Sequence, residues 1–175
     1  MDTKIIAIAG GSASGKSSIV EYIKNYFSKD LYVIGHDNYY KSHDDLSFED
    51  REKLNYDKPE SFDNEMFLRD LLALKAGKEI DMPTYDYNIH TRSKETIHVV
   101  PKKIILIEGI LVLYDERIRN ILDTCVFIDA DSDVRLQRRI LRDTKERSRS
   151  LESVLTQYIK PVSYTHLTLP TILRV

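Results

Sequence analysis

The nine residues from Gly10 to Ser18 read GGSASGKSS and contain the pattern G-x-x-x-x-G-K-[ST]. A short apolar run, KIIAIA over 4–9, precedes the pattern, and apolar residues at helical spacing follow it over 19–27. Between a strand and a helix, the glycines let backbone N–H groups curl around an anion, and the helix N-terminus adds positive partial charge. The pattern therefore predicts a loop that binds nucleotide phosphates, and not a glycine turn that happens to precede a lysine.

Within this loop, Lys16 is long enough to reach the β- and γ-phosphates, and the Ser17 hydroxyl is placed to ligate Mg²⁺. All nine residues are expected to contact the nucleotide: Gly10, Gly11, Ser12, Ala13, Ser14, Gly15, Lys16, Ser17 and Ser18. A phosphate-binding loop alone does not distinguish a switch protein from an ATPase or a kinase.

The composition is typical of one globular domain. The chain has 175 residues, of which 42% are hydrophobic and 31% are charged, with a formal net charge of -2. This charge argues against nucleic acid as a partner, which would require a basic face. No apolar run is long enough for a signal peptide or a membrane span, so we expect a cytoplasmic protein with no membrane partner. Cys125, the one cysteine, lies in an apolar run and is expected in the core.

Strand and helix patterns alternate along the chain. The strand patterns are 4–9, 31–35, 103–107 and 125–129. The helical patterns are 17–27, 64–76, 115–122 and 132–144, with a further helix from about 150. This alternation predicts an α/β fold of the P-loop NTPase type, in which helices cover both faces of a parallel β-sheet. The segment 79–100 breaks the alternation and predicts an inserted β-hairpin, well placed to cover a substrate.

Two carboxylates follow predicted strands and are expected at the edge where ligands bind. Glu108 ends the run IILIE and is a candidate Mg²⁺ ligand, the alternative being a solvated acid at a strand end. Asp37 follows LYVIG and could accept the proton of an attacking hydroxyl, as a kinase requires, or could simply be a loop aspartate.

A stripe of arginines lies on the helix predicted from 131 to 143. Its members recur at helical spacing: Arg135, Arg138, Arg139 and Arg142. Lys145, Arg147 and Arg149 follow, while Asp133, Asp143 and Glu146 could neutralise part of the charge. Such a density of arginine favours a lid over a transferring phosphoryl group. A solvated face and a nucleic-acid patch are the alternatives.

With these motifs in order, the sequence resembles the uridine kinases (uridine–cytidine kinases) of the phosphoribulokinase/uridine kinase family. The resemblance covers roughly 4–161 and is carried by the strings GHDNYY, NYDKPESFDNE, MPTYDYNIHTR, IEGIL and RLQRRILRDTKERSRSLESVLTQYIKP. It implies phosphorylation of uridine and cytidine at the ribose 5′-hydroxyl, giving UMP or CMP and ADP in pyrimidine salvage. ATP or GTP would be the phosphate donor and Mg²⁺ the cofactor.

The resemblance also implies roles for individual residues. Asp37 is similar to the catalytic base, and Lys16, Arg142 and Arg147 correspond to cations on the ATP phosphates. Ser17, Asp37 and Glu108 would surround Mg²⁺, partly through water. The residues similar to nucleoside contacts are Asp57 for the ribose hydroxyls, Tyr85 and His90 for the pyrimidine, and Arg139, Arg149 and Gln157. Taken singly, Tyr85 could pack in the hairpin, His90 could be a surface histidine and Asp57 could cap a turn.

The resemblance ends after Lys160 and Pro161. We therefore expect a nucleoside kinase domain over 1–161, with the hairpin at 79–100 and the lid at about 135–150. We interpret 162–175 as an atypical tail that follows a truncation. The family is commonly tetrameric, which implies a homo-oligomer, although this C-terminus argues against assuming one here. Two other functions stay open, namely a nucleotide-binding relic without turnover and a P-loop kinase for another small hydroxyl substrate.

Overall fold

The computed structural model describes residues 2–146 and 150–159. In these residues the strands are β1 (Lys4–Gly10), β2 (Leu31–Gly35), β3 (Ile80–Asp86), β4 (Thr91–Val99), β5 (Ile104–Gly109) and β6 (Thr124–Ile128). The helices are α1 (Lys16–Tyr26), α2 (Phe48–Glu52), α3 (Asn64–Lys75), α4 (Glu116–Ile121), α5 (Ser132–Glu146) and α6 (Leu151–Ile159). Short 3₁₀ turns occupy His36–Tyr39 and Pro59–Ser61.

Four strands form a parallel sheet in the order β2-β5-β1-β6. The central strand β1 pairs with β5 on one side and with β6 on the other. Parallel strands in one sheet require crossovers, and the helices that supply them cover the faces. The order brings the carboxyl ends of β1, β2 and β5 together at one edge.

Alternate residues of β1 and β5 point into two separate cores. Ile5 and Ile107 pack with Phe67 of α3 on one face. Ile8 and Leu106 pack with Val20 of α1 on the other. All six of these residues are buried. Because successive side chains of a strand point to opposite faces, a run such as IIAIA over 5–9 is apolar throughout only when both faces are covered. The predicted α/β fold with a parallel sheet and helices on both faces is confirmed.

The segment 79–100 forms an antiparallel hairpin of β3 and β4, which make a second, two-stranded sheet. Its pairing runs from Ile80 opposite Val99 to Asp86 opposite Thr91, with a register shift between Pro83 and Tyr85. Proline lacks the N–H of a regular ladder, so it sits where pairing is incomplete. The turn of the hairpin faces the carboxyl edge of the main sheet through residues that line the cleft described below.

The expectation that Cys125 lies in the core is wrong. The residue is exposed, and its neighbour Val126 is 43% exposed. In the described part of the chain β6 is an outer strand of the main sheet, hydrogen-bonded to β1. Its apolar sequence indicated a strand correctly but did not indicate a position at the edge. No helix in the described residues is long and apolar enough to cross a membrane.

Candidate active site

The phosphate-binding loop connects β1 to α1 and contains two glycines that other residues would not replace easily. Gly15 has a φ of 104° and precedes the first turn of α1, a backbone conformation that strains residues with a Cβ. At Gly10, a Cβ atom would come within 2.6 Å of the Ile128 carbonyl oxygen in β6. Side chains are therefore excluded where the loop must turn tightly around an anion.

Lys16 is buried and folds back over this loop. Its Nζ donates hydrogen bonds to the carbonyl oxygens of Gly10, at 2.9 Å, and Gly11, at 3.1 Å. Burial lowers the pKa of Lys16, while the carboxylates of Glu108 and Asp37 act in the opposite direction. The ammonium group is thus held inside the loop, next to two acids.

The strand register explains why those two acids are neighbours. Gly35 at the end of β2 is level with Glu108 in β5, which is also level with Ile8 in β1. Asp37 comes two residues after Gly35, in the 3₁₀ turn. Protein atoms enclose much of Asp37, and this burial, followed by the charge of Glu108, raises the pKa of Asp37 to about 6. Burial also raises the pKa of Glu108, against the effect of Lys16.

A divalent cation would relieve this crowding of negative charge, and the nearby donors suit Mg²⁺. Ser17, Asp37 and Glu108 all line the same cleft and supply only oxygen ligands. Among the described residues no group of three or more acidic, histidine or cysteine side chains could enclose a metal. Mg²⁺ bound together with substrate phosphates needs only one or two carboxylates, so the donors present fit it.

The other end of the cleft is built from aromatic side chains. Tyr85 of β3 is buried and packs against Tyr40, with ring centroids 5.0 Å apart. Burial, followed by the neighbouring Tyr56, raises the pKa of Tyr85, whose hydroxyl makes no hydrogen bond of good geometry to the described residues. His90 stacks on Tyr56 at 5.7 Å and adopts a left-handed φ of 52°. The result is an apolar recess with a few polar groups at its wall.

The arginines of α5 divide between two ends of the cleft. Arg139 is buried, and its Nη1 lies 3.9 Å from Oδ2 of Asp57. Arg138 donates a hydrogen bond of 3.4 Å to the carbonyl oxygen of Ser14 in the phosphate-binding loop.

The other two arginines of the stripe differ in their surroundings. Arg142 lines the cleft. Arg135 is buried beside Gly11 and donates a hydrogen bond of 3.0 Å to the Ala130 carbonyl oxygen. The predicted stripe exists, but its members have different partners.

Most of these groups, although not Arg135, line one cleft of about 840 Å³. The predicted site residues that line it are Ser12, Ala13, Gly15, Lys16, Ser17, Ser18, Asp37, Asp57, Tyr85, His90, Glu108, Arg139 and Arg142. Gly10, Gly11 and Ser14 belong to the same loop. Arg147, Arg149 and the side chain of Gln157 lie outside the described residues, so the lid predicted at 135–150 is described only in part.

This combination of fold and site has known relatives. The family model described as the "Phosphoribulokinase / Uridine kinase family" matches residues 5–172, which reaches beyond Pro161. The chain belongs to the phosphoribulokinase/uridine kinase family. It is a kinase, a phosphotransferase with a hydroxyl acceptor.

Members of this family that resemble the chain include proteins named uridine kinase. The Lactococcus lactis (strain MG1363) protein is 48% identical over 161 residues, which are 91% of this chain and 78% of the relative. The Oceanobacillus iheyensis protein is 47% identical over 93% of this chain and 78% of its own length. Among solved structures, a putative fructose transport system kinase from Silicibacter superposes with a TM-score of 0.73 at 22% identity. The superposition covers 89% of this chain and 79% of the Silicibacter chain. At this identity it shows only that the two proteins share a fold.

Sequence reasoning did not assign several residues that line the cleft of this family member. Tyr40, Tyr56 and Tyr87 build its aromatic end. Arg138, predicted only as a member of the arginine stripe, lines the cleft near the phosphate-binding loop. The Tyr87 hydroxyl contacts Asp37, from which it is separated by 50 residues. The strings GHDNYY, NYDKP and PTYDY contain these tyrosines close to aspartates. This closeness in sequence was the one feature that could have indicated a place for the tyrosines in the cleft.

Proposed function

We propose that the protein transfers the γ-phosphoryl group of ATP to the ribose 5′-hydroxyl of uridine or cytidine. The observation that carries the proposal is the arrangement of the cleft, in which Asp37 lies between a phosphate-binding loop and an aromatic recess. The relatives named uridine kinase, at 47–48% identity, support the choice of a nucleoside as acceptor. In this role the protein would act in cytoplasmic pyrimidine salvage.

At the donor end, the backbone of Gly10–Ser18 and the Lys16 ammonium would bind the triphosphate. Arg142, together with Arg147, would neutralise charge that develops on the transferring group. Mg²⁺ held by Ser17, Asp37 and Glu108, partly through water, would supply further neutralisation of the β- and γ-phosphates. The same cleft would accept GTP as the phosphate donor if no residue distinguishes guanine from adenine.

At the acceptor end, Asp57 would hold the ribose hydroxyls, and Tyr85 and His90 would contact the pyrimidine. A histidine can hydrogen-bond the group at position 4 of either base, which suits both uridine and cytidine. Arg139, Arg149 and Gln157 would complete the nucleoside contacts. Burial of the base among Tyr40, Tyr56 and Tyr85 would use the stacking and apolar area that aromatic side chains supply.

In the chemical step the 5′-oxygen forms a bond to the γ-phosphorus, and the bond between that phosphorus and the β–γ bridging oxygen breaks. Asp37 accepts the proton of the 5′-hydroxyl, and ADP leaves with the bridging oxygen. An environment that already favours protonation of Asp37 suits a proton acceptor. The rest of the rate enhancement comes from positioning and electrostatics.

The test is ADP release by the purified protein with each of several nucleosides and small sugars. We expect release that depends on uridine or cytidine and that falls by at least about 100-fold in Asp37→Asn, the low end for a proton-transfer group. Asp45→Asn, an exposed aspartate on the following loop, is the matched control and should retain full activity. Release that depends on a sugar instead identifies a different kinase, and nucleotide binding without release identifies a protein that does not turn over.

A further inference from the structure

The side chain of Asp143 on α5 is completely buried and lies between two arginines. One Oδ atom accepts a hydrogen bond of 2.8 Å from Nε of Arg142, and the other lies 3.6 Å from Nε of Arg139. A carboxylate is buried in this way only where cations compensate the cost of removing it from water. The sequence suggested Asp143 only as one of several surface acids that dilute the arginine charge.

The two arginines extend from this carboxylate to opposite ends of the cleft. Arg139 ends 3.9 Å from Asp57, which the proposed function assigns to the ribose. Arg142 lines the same cleft as Lys16 and Ser17 of the phosphate-binding loop. Both of these contacts to Asp143 use Nε, and for Arg139 the terminal nitrogen Nη1 is the atom that lies near Asp57.

Arg139 is also held from its other side. Its guanidinium lies 6.0 Å from the ring centroid of Tyr158 on α6, and the Tyr158 hydroxyl donates a 2.7 Å hydrogen bond to the Ser132 carbonyl oxygen at the start of α5. Without the negative charge at 143, two arginines three residues apart on one helix would repel each other. The carboxylate therefore offsets the repulsion between the two cations that it contacts.

We propose that Asp143 is a positioning residue that aligns Arg139 with the acceptor and Arg142 with the donor phosphates, so that one buried carboxylate supports both substrate sites. This inference rests on the proposed function, because it takes Asp57 and the phosphate-binding loop as the two ends of the reaction. It assigns to Asp143 no contact with either substrate.

The test is calorimetric titration of Asp143→Asn with uridine and, separately, with a non-hydrolysable ATP analogue and Mg²⁺. Asparagine keeps the shape of the side chain and removes its charge. We expect each ligand to bind roughly tenfold more weakly, within the range for residues of one charge network. Asp133→Asn, an exposed acid in the first turn of the same helix, is the control and should bind both ligands within about twofold of wild type.

Two double-mutant cycles separate positioning from a general loss of structure. In an Arg139→Gln background, Asp143→Asn should still weaken the ATP analogue but add little to the loss of uridine binding. In an Arg142→Gln background the pattern should reverse. Effects that simply add in both cycles would show that Asp143 does not act through these arginines and would overturn the proposal.

Thermal unfolding of each variant accompanies the titrations. If Asp143→Asn does not fold, Asp143→Glu replaces it, because this variant keeps the charge and displaces the carboxylate by about one bond length. Folded Asp143→Glu with unchanged affinities for both ligands overturns the proposal. Wild-type protein that binds no uridine refutes the proposed function as well, whereas normal binding by both wild type and Asp143→Asn refutes the positioning role alone.

Discussion

The Tyr87 hydroxyl donates a hydrogen bond of 3.4 Å to Oδ2 of Asp37, across 50 residues of sequence. Tyr87 follows β3 in the hairpin turn, and Asp37 follows β2 of the main sheet. The bond therefore connects the aromatic recess to the proposed proton acceptor. It opposes, in part, the rise in the pKa of Asp37 that burial causes.

Tyr87→Phe removes this bond and keeps the ring that packs on Tyr85 at 5.2 Å. We expect kcat/KM for uridine to fall by about two- to tenfold, because Tyr87 is exposed and its hydrogen bond is long. The measurement is steady-state kinetics with uridine as the varied substrate. Tyr26→Phe, an exposed tyrosine at the end of α1, serves as the control. Equal kinetics in wild type and Tyr87→Phe would exclude a role for this contact.

Tyr85→Phe should weaken uridine binding with little effect on the stability of the protein. The Tyr85 hydroxyl is buried and makes no hydrogen bond of good geometry to the described residues, although Tyr56 lies close enough to raise its pKa. Its removal should therefore lower the free energy of unfolding by less than the loss of a full hydrogen bond would. The KM for uridine should rise about two- to tenfold if this hydroxyl contacts the base. Urea unfolding and kinetics on the same preparation provide both values.

The matched control for that variant is Tyr39→Phe. The Tyr39 hydroxyl is equally buried but donates a 3.0 Å hydrogen bond to Oδ2 of Asp70. We expect Tyr39→Phe to lower the free energy of unfolding by about 1–3 kcal/mol. A loss of stability in Tyr85→Phe as large as in Tyr39→Phe would show that the Tyr85 hydroxyl has a structural partner.

Gly15→Ala should impair nucleotide binding as well as stability. The φ of 104° at Gly15 costs a residue with a Cβ about 1–3 kcal/mol, and relaxation of that strain would move backbone N–H groups that face the phosphates. We expect the affinity for an ATP analogue to fall at least about tenfold, as measured by calorimetry.

Gly77→Ala is the control for backbone strain, because Gly77 also has a positive φ, of 77°, and a Cβ there would meet no other atom within 4 Å. It should lower the free energy of unfolding by a similar amount and leave nucleotide affinity within about twofold. Equal binding losses in the two variants would mean that the geometry of Gly15 has no special part in phosphate binding.

Asp123 should contribute stability that depends on pH. It accepts a 2.9 Å hydrogen bond from the Ile5 N–H and pairs with Lys75 and Lys4, at 3.2 Å each. The backbone hydrogen bond, followed by the lysines, lowers the pKa of Asp123 to about 2. Since an unfolded aspartate titrates near pH 4, the unfolded chain binds this proton first, and the contribution is lost as the pH falls from about 4 to about 2.

The measurement compares urea unfolding of wild type and Asp123→Asn at several pH values. We expect wild type to be more stable by about 1 kcal/mol above pH 4, a reduced figure because the side chain is partly solvated. The difference should shrink towards zero near pH 2. A difference that does not change over this range would contradict the assigned pKa.

Much of the main sheet could be predicted because its strands have continuous apolar sequences, and those of β1 and β5 are buried on both faces. Leu31–Gly35 has the predicted bounds, and Lys4–Gly10 differs from its prediction by one residue. The helix Phe48–Glu52 was missed because five residues are too short for an apolar period to emerge. The burial of Cys125 was predicted wrongly because an apolar run is compatible with both a central and an outer strand.

The candidate site was predictable where one short segment determines the chemistry, as in Gly10–Ser18. Contacts such as Tyr87 with Asp37, or Arg139 with Asp57, join segments far apart in sequence and depend on strand order and hairpin orientation. The burial of Asp143 was not predictable for a related reason. Helical spacing places it near the arginines, but its exposure depends on how α5 packs against the rest of the molecule.

The hairpin of β3 and β4 pairs with itself and, in the described residues, forms a sheet distinct from the one that ends in the phosphate-binding loop. Substitutions in its turn can therefore change the shape of the aromatic recess without disturbing the hydrogen bonds between the strands of the main sheet. Residues that would contact an alcohol substrate can therefore vary in sequence while the loop proposed to bind the triphosphate keeps its geometry.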